Sequence, residues 1–232
     1  MDLVAQGVND CEIARRLGVP RSTVRDWRTR VREAEVCARC WRTTRPVRFA
    51  GGDYAELLGL YLGDGHISPF ARTERLRLHL DAKYPAIVDD AEALLRRCFP
   101  ANRVGRSSRH DGSMVVLCVY HGHLSCLVPQ TGPGKKHLRP IVFEPWQRTL
   151  IEAEPWRFLR GCIRTDGCVF VNRTGRYEYL SYEFSNLSRD IVDLFMATCD
   201  GLGLRPRRYR RYVRLYRRDD VARLLSEVGT KT

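Results

Sequence analysis

Lysine is scarce in this sequence of 232 residues, and acidic residues are too few to balance the basic ones. Only four of its 40 lysine and arginine residues are lysine, and its 27 aspartate and glutamate residues leave a net charge of +13. A surplus of this size argues against a polycationic partner and indicates a polyanionic one, with nucleic acid ahead of an acidic membrane surface. Since basic charge is carried almost wholly by arginine, the few lysines are of special interest.

Long apolar runs and targeting signals are missing as well. No run approaches the ~18–20 residues that a membrane-spanning helix needs, and the first residues, MDLVAQGVNDCE, lack the pattern of a secretory signal. Nine scattered cysteines, an odd number, are typical of free thiols in a reducing compartment rather than of a disulfide framework. The sequence therefore predicts a cytoplasmic protein without a membrane partner.

Residues 10–30, DCEIARRLGVPRSTVRDWRTR, read as two short helices joined by a tight turn. Asp10 is expected to cap the first helix, Gly18 to end it and Pro20 to begin the second. The pattern resembles the helix-turn-helix domains of resolvase-like and homeodomain-like proteins, and the alternative is a helix pair whose arginines are merely solvated. The candidate DNA-binding residues of this segment, which covers residues 1–35, are Arg21, Ser22, Thr23, Arg25 and Arg28.

Residues 36–52 form a predicted linker with one C-x-x-C pattern, at Cys37 and Cys40. This spacing supplies half of a structural zinc site, but no second C-x-x-C or H-x₃-H pattern follows it. Two thiols in a linker are the favoured interpretation, and zinc at Cys37 and Cys40 is the alternative.

The rest of the chain contains an internal repeat. DYAELLGLYLGDGHI, at 53–67, and EPWRFLRGCIRTDGCV, at 154–169, each open with a helix-start signal, Asp53 as the cap in the first copy and Glu154-Pro155 in the second. Each continues as an apolar helix with a central glycine, ends in Asp-Gly and is followed by a stretch typical of a strand. Because a glycine inside a helix is costly, its recurrence at the same place indicates that the two helices pack closely against each other.

The similarity between the two copies extends downstream. Segments 76–98 and 180–199 each combine an alternating strand with an amphipathic helix that carries Ile-Val-Asp, and further strands and a helix follow in each copy. A repeat of about a hundred residues is too long for a solenoid. We therefore expect an α+β fold with two pseudo-symmetric αββαββα units, at 53–149 and 150–232, preceded by the small all-α helix-turn-helix.

LLGLYLGDG, at 57–65, and LRGCIRTDG, at 159–167, resemble the two motifs of the LAGLIDADG homing endonucleases, and the resemblance extends over 53–232. It implies a monomeric endonuclease whose saddle-shaped sheets bind double-stranded DNA and which takes part in intron or intein mobility. The acidic residue that the family name spells two places before the key aspartate is replaced here by Leu62 and Arg164. We expect Arg164 to find a partner, because a buried unpaired charge is strongly destabilising.

In the resembling family one acidic residue from each motif carries the catalytic metal. This resemblance assigns Asp64 and Asp166 to catalysis and to metal binding, with Gly63 and Thr165 beside them at the metal. The chemistry is consistent, since paired carboxylates at the negative ends of two helix dipoles call for a cation. Hard oxygen ligands suit Mg²⁺ or another divalent cation, and a simple helix stop is the alternative reading of each Asp-Gly.

The family also places a basic residue near each scissile phosphate, after the last strand and helix of each unit. Lys135 and Lys231 match this place, since Lys135 lies 15 residues after Tyr120 and Lys231 lies 15 residues after Tyr216. Both are therefore candidate catalytic residues, with Lys136 as the neighbouring alternative.

The predicted strands supply a DNA-binding surface. In two of them apolar residues alternate with basic or aromatic ones, which gives each strand one buried and one open face. Arginine on an open sheet face can hold phosphates and read guanine edges in the major groove. The candidate DNA-contacting residues outside the helix-turn-helix are Arg75, Arg77, His79, Lys136, Arg173, Arg210, Tyr212 and Arg214.

Three functions follow from these observations. The first is a site-specific DNA endonuclease that cleaves both strands of a long target by metal-assisted phosphodiester hydrolysis. The second is a catalytically silent transcriptional regulator built on the same scaffold, and the third is an RNA maturase. Retention of both aspartates and of the lysines favours the nuclease, because a protein that only binds DNA needs neither.

Overall fold

The computed structural model describes residues 8–19, 21, 24 and 50–231. The chain divides into two compact units, Met1–Pro46 and Val47–Thr232. Within the described residues, no helix combines the length and the apolar character needed to cross a membrane.

In the smaller unit, helix α1 (Asp10–Leu17) begins after Asn9, whose side chain accepts a hydrogen bond from the Glu12 backbone N–H at 3.0 Å. The predicted cap, Asp10, is wrong by one residue. Asn9 has the extended backbone that a cap needs, whereas Asp10 is already helical. Gly18 ends the helix in the left-handed conformation, with φ of 64°, as the sequence predicts.

Beyond this turn the structure describes Arg21 and Val24, which are both helical. Arg21 is exposed, whereas Val24 and Ile13 are buried, so the apolar positions face inward as expected. The remaining candidate residues of the N-terminal segment and of the linker lie outside the described residues; they are Ser22, Thr23, Arg25, Arg28, Cys37 and Cys40.

The larger unit consists of two halves with the same order of elements. The elements of the first half are α2 (Gly51–Asp64), β1 (Gly65–Pro69), β2 (Glu74–Asp81), α3 (Pro85–Cys98), β3 (Gly105–Arg109), β4 (Met114–His121) and α4 (Leu124–Leu127). Helix α5 (Pro145–Ala153) connects the halves, and 3₁₀ turns cover His110–Gly112 and Lys136–Leu138. The elements of the second half are α6 (Pro155–Asp166), β5 (Gly167–Thr174), β6 (Tyr177–Ser185), α7 (Arg189–Gly201), β7 (Arg207–Arg208), β8 (Tyr212–Leu215) and α8 (Arg218–Glu227). We call α2 and α6 the first and the second motif helix.

Each half forms one antiparallel four-stranded sheet, with strand orders β1-β2-β4-β3 and β5-β6-β8-β7. The alternating sequence gives each sheet a buried face, on which Leu76, Leu78 and Leu80 are at most 2% exposed and Val213 and Leu215 are fully buried. Helices pack on these buried faces. The residues that alternate with the buried ones along β2 and β8, such as Arg75, Arg77 and Arg214, are half-buried; we call their side of each sheet the open face. The expected α+β fold is confirmed.

The two motif helices cross with their backbones in contact. A Cβ atom added to Gly59 would lie 2.6 Å from the Phe158 carbonyl oxygen, and one added to Gly161 would lie 2.3 Å from the Glu56 carbonyl oxygen. No other residue type fits at such distances without pushing the helices apart. The close packing expected from the two glycines is confirmed.

Ion pairs across this crossing supply the partners that the charged side chain of Arg164 requires. Its Nη1 atom lies 2.9 Å from Glu56 Oε1, and the guanidinium also binds Asp90. Arg157 approaches the other oxygen of Glu56 at 2.9 Å. Because Glu56 is only 3% exposed, these arginines supply the compensation that a buried carboxylate requires.

Contrary to the prediction from the sequence, Asp53 does not cap the first motif helix but forms ion pairs. The cap of the first motif helix is Ala50, three residues before Asp53, so Asp53 lies in the first turn and is not the cap. Its carboxylate accepts hydrogen bonds from Arg97 at 3.0 Å and from Arg157 at 2.9 Å, and these arginines hold its pKa below the usual value. The second motif helix begins at Pro155 after Glu154, as predicted.

We expect Gly161→Ala to lower the free energy of unfolding by about 1–3 kcal/mol, because the new methyl group overpacks the helix crossing. Gly201→Ala is the matched control, since a Cβ there meets nothing within 4 Å and alanine favours a helix. Urea denaturation of the full chain measures both. Wild-type stability in Gly161→Ala would contradict the close crossing.

Candidate active site

The crossing brings the C-terminal ends of the motif helices, and with them Asp64 and Asp166, to one place. A Cβ atom on Gly63 would lie 2.1 Å from Thr165 Oγ1 and 3.0 Å from Asp166 Oδ2. The residue before one aspartate therefore touches the other aspartate. Any Cβ atom at position 63 would collide with Thr165, so only glycine fits there. This explains why the first motif helix has glycine at the position where the second has Thr165.

The two carboxyl groups are half-buried and lie close enough to interact. Burial and the negative charge of Asp166 raise the pKa of Asp64 to about 6. Burial also raises the pKa of Asp166, while a hydrogen bond from Asn186 opposes this rise. The metal-free site thus holds two carboxylates in an environment that disfavours their charge.

Two lysine ammonium groups reach the same helix ends. Lys136 Nζ donates to the carbonyl oxygens of Leu62 at 2.9 Å and Gly63 at 2.8 Å, and it also donates to Tyr61. The Leu62 and Gly63 carbonyl groups belong to the last turn, where the helix supplies no donor, while the Tyr61 carbonyl also accepts from the Gly65 N–H. The lysine thus places a positive charge at the negative end of the helix dipole. Burial lowers the pKa of Lys136 to about 8.

Lys231 serves the second motif helix in a similar way. Its Nζ donates to the carbonyl oxygen of Thr165 and lies 5.3 Å from the centre of the Tyr84 ring. The hydroxyl group of the buried Tyr182 donates to the Gly229 carbonyl, which ties down the segment that carries the lysine. Each half therefore supplies one lysine to the site.

The structure brings Lys136 to the first helix end, whereas Lys135 is exposed on the surface of the loop. Equal spacing from the last tyrosine does not bring Lys135 and Lys231 to equivalent places, because the 15 residues have different structures in the two halves. In the first half they contain the four-residue helix Leu124–Leu127 and a glycine-rich loop, and in the second the ten-residue helix Arg218–Glu227. The register of the two copies is lost after the last strand.

Sequence reasoning misses Asn186, which binds Asp166 directly. Asn186 Nδ2 donates to Asp166 Oδ2 at 2.7 Å, while its Oδ1 accepts from the Ser188 N–H at 2.8 Å. The second bond fixes the orientation of the amide and so directs the NH₂ group at the carboxylate.

The two halves differ at this position. Leu78 and Phe184 occupy equivalent places in their sheets, since each pairs with the glycine that follows a motif aspartate. Two residues further along the strand direction stand Leu80 and Asn186, so the first half has an apolar side chain where the second has a donor. A comparison of strand registers, rather than of helix motifs, would have found this residue.

The donor set fits a hard divalent cation. It consists of two carboxylates, with carbonyl oxygens beside them. Among the described residues no side chain donates a hydrogen bond to the half-buried Asp64 carboxylate. Gly63 and Thr165, the two other predicted metal contacts, present their carbonyl oxygens to Lys136 and Lys231. In the described part of the chain no cluster of three or more His, Cys, Asp or Glu residues is found. A cation here therefore needs further oxygen ligands from water or phosphate.

The open face of the first sheet carries three of the predicted DNA contacts. Arg75 lies over the rings of Phe70 and Tyr120, and Arg77 donates to Ser68 at 2.9 Å. Both arginines alternate with the buried leucines of β2, as His79 does. The half-buried His79 has a lowered pKa, first because of burial and then because of Arg77.

The second sheet combines aromatic rings with arginine. Arg214 forms an ion pair with Glu183 at 2.6 Å and lies over the rings of Phe170 and Tyr212. Arg210 is exposed, in the bend just before β8. Tyr212 stacks on its neighbour Tyr209.

Arg173 does not share this surface. It alternates with Phe170 along β5, so it lies on the opposite face of the strand, where it pairs with Glu178 at 2.8 Å. Whether a position is odd or even along the strand decides which face its side chain occupies.

Comparison with known proteins agrees with the two-unit organisation. The family model of a homeodomain-like domain matches residues 1–39. The structure of the homing endonuclease I-DmoI in complex with DNA and Ca is similar to this chain, with a TM-score of 0.52, 15% identity and coverage of 76% of this chain and 89% of that one.

Two further structures of DNA-bound homing endonucleases are similar to this chain. I-DmoI in complex with DNA and Mn has a TM-score of 0.52 and 14% identity and covers 77% of this chain and 97% of that one. I-WcaI bound to its DNA recognition sequence has a TM-score of 0.50 and 11% identity and covers 84% and 90%. No curated protein matches the chain. The larger unit therefore has the fold of these homing endonucleases.

We expect Asp64→Asn to raise the melting temperature of the metal-free protein at pH 7.5. The pKa of about 6 in the folded protein exceeds the ordinary value of 3.8, so the ionised carboxylate opposes folding above pH 3.8 and does so fully above pH 6. The gain should thus be smaller at pH 5 than at pH 7.5. Asp64→Glu keeps the charge and should bring no gain. Calorimetry at both pH values measures the effect, and an unchanged melting temperature of Asp64→Asn at pH 7.5 would contradict it.

Proposed function

We propose that the chain belongs to the LAGLIDADG homing endonucleases and is a site-specific DNA endonuclease that cuts both strands of a long target. The observation that carries the proposal is the convergence of Asp64 and Asp166 at one place, each beside a lysine ammonium group, in a unit whose sheets have open faces. Two half-buried carboxylates, each near a half-buried lysine, cost the fold stability, and phosphodiester hydrolysis is a task that uses both kinds of group.

A divalent cation is the cofactor in this proposal, and magnesium is the physiological candidate. When bound, such a cation neutralises charge at the phosphate and activates a water molecule. Asp64 and Asp166 are the residues that hold it, and the absence of a hydrogen bond to Asp64 from the described side chains leaves its oxygens available. I-DmoI with Ca and with Mn offers a parallel in a protein of the same fold.

The protein's own side chains divide the remaining tasks. Lys136 and Lys231 stabilise negative charge at the phosphate, and the lowered pKa of Lys136 lets it exchange a proton near neutral pH. The open faces of the two sheets bind the duplex through Arg75, Arg77 and Arg214. Double-stranded DNA is therefore the partner, and the protein acts as a monomer because one chain contains both halves.

A second candidate function is DNA binding without cleavage. The match of residues 1–39 to a homeodomain-like domain favours it, because such a domain is typical of transcriptional regulators. In the nuclease proposal the same segment extends the contact with DNA. The two functions differ in whether bound DNA is cut.

We expect the purified chain to cut DNA that carries its native flanking locus in the presence of Mg²⁺. Asp64→Asn and Asp166→Asn should each lower the cleavage rate about 100-fold or more, because each removes metal-binding charge worth several kcal/mol at the transition state. Gel analysis of end-labelled DNA measures cutting on each strand, and a filter-binding assay without Mg²⁺ measures affinity.

The Asp→Asn variants should bind the DNA at least as well as the wild type. Undiminished cutting by both variants would contradict the site assignment. Tight binding by the wild type without any cutting would instead support the regulator.

The two adjacent lysines give a matched pair of variants. Lys136→Met should lower the cleavage rate of bound DNA about 100-fold, whereas Lys135→Met removes an exposed charge and should affect this rate far less. Single-turnover cleavage with saturating protein measures both rates. A larger loss in Lys135→Met would restore the spacing-based assignment of Lys135.

A further inference from the structure

Lys136 lies in a loop, and a loop must be held in place if its lysine is to reach the motif helix. The loop from Gln130 to Arg139 contains three glycine or proline residues in succession, Gly132, Pro133 and Gly134. Gly134 has a positive φ of 75°, and a Cβ there meets nothing within 4 Å. Local sequence alone therefore does not give the loop one conformation.

The base of the loop is anchored in the interior. Gln130 is 4% exposed and Gln147 is fully buried, and their side-chain amides bind each other at 2.7 Å. Gln130 also donates to the Val142 carbonyl, and Gln147 donates to the buried Tyr54 hydroxyl at 2.7 Å. These bonds fix the start of the loop and the chain beyond it to the first motif helix.

Arg139 closes the loop above this anchor. Its Nη2 donates to the Gln130 carbonyl at 3.0 Å, and its Nη1 donates to the carbonyls of Gly134 at 3.0 Å and Pro133 at 3.3 Å. A single guanidinium thus joins both ends of the loop to its tip. A lysine has no planar fork with which to reach these carbonyls together.

The packing of the loop supports the same role. A Cβ on Gly132 would lie 3.3 Å from Arg139 Cδ and Nε, so the side chain lies directly against this glycine. The positive charge of Arg139 also acts on Lys136, and it contributes, after burial, to the lowered pKa of that lysine. Like charges repel, so attraction between the two side chains does not explain their proximity, whereas the hydrogen bonds of Arg139 to the loop do.

We propose that Arg139 is a positioning residue that closes the loop of residues 130–139 and so holds the Lys136 ammonium group at the end of the first motif helix. The inference rests on the proposed function, because it gives Lys136 a task in cleavage. Tyr182, which binds the Gly229 carbonyl, is the counterpart for Lys231 in the second half. Arg139 itself does not touch the reacting atoms.

Limited proteolysis tests the structural part without DNA. Trypsin should cut after Lys135 or Lys136 about tenfold faster in Arg139→Lys than in the wild type, since two or three hydrogen bonds that close the loop are lost. Trypsin does not cut before proline, so the change at Arg139-Pro140 neither adds nor removes a cleavage site. Arg96→Lys, an exposed arginine on α3 that pairs with Glu92, is the control and should leave this rate unchanged.

A double-mutant cycle tests the functional part. Arg139→Lys should lower the single-turnover cleavage rate about tenfold at unchanged DNA affinity, but it should have no further effect in the Lys136→Met background. An equal loss in both backgrounds, or a loss of affinity without a change in rate, would overturn the inference. If the wild type cuts no DNA, the proposed function fails by itself, and unchanged proteolysis in Arg139→Lys would then overturn the loop closure as well.

Discussion

The contact between the backbones of Gly59 and Gly161 is the constraint on which the larger unit depends. At this point each helix meets a carbonyl group of the other at a distance that excludes any side chain. Since Asp64 and Asp166 each follow five residues later, the crossing determines where both carboxylates lie. A wider crossing would separate them and leave two independent helix ends.

The acidic side chains at the two ends of this crossing differ in how far their negative charge is compensated by neighbouring groups. Towards the start of the helices, buried Glu56 is compensated within the protein by Arg157 and Arg164. Towards their ends the carboxylates remain in an environment that raises their pKa values, although two lysines lie nearby. The first arrangement stabilises the fold, and the second costs stability, which the cation of the proposed function would recover. Such local conflict with folding is typical of functional sites.

The sequence is sufficient to predict the architecture, because the features that determine it are local and repeated. Central glycines, Asp-Gly ends and alternating strands recur in both copies. They predict a close helix crossing, the end of each motif helix and a sheet with one buried face, respectively. The structure differs from the sequence-based expectations where the position of a residue depends on a contact that is present in only one of the two halves. Lys136, rather than Lys135, lies at the end of the first motif helix because the loops of the two halves differ in fold. Asp53 is not the cap because the helix begins before it, and its carboxylate binds two arginines instead. Asn186 has no signal in the helix motifs, since only the strand register brings it to Asp166.

The proximity of the two aspartates can be measured directly by following the Asp64 carboxyl carbon in a ¹³C NMR titration of the metal-free protein. The account predicts a pKa of about 6 in the wild type and a lower value in Asp166→Asn, because the neighbouring negative charge is then absent. An ordinary pKa near 3.8 that does not change in Asp166→Asn would show that the carboxylates do not share one site.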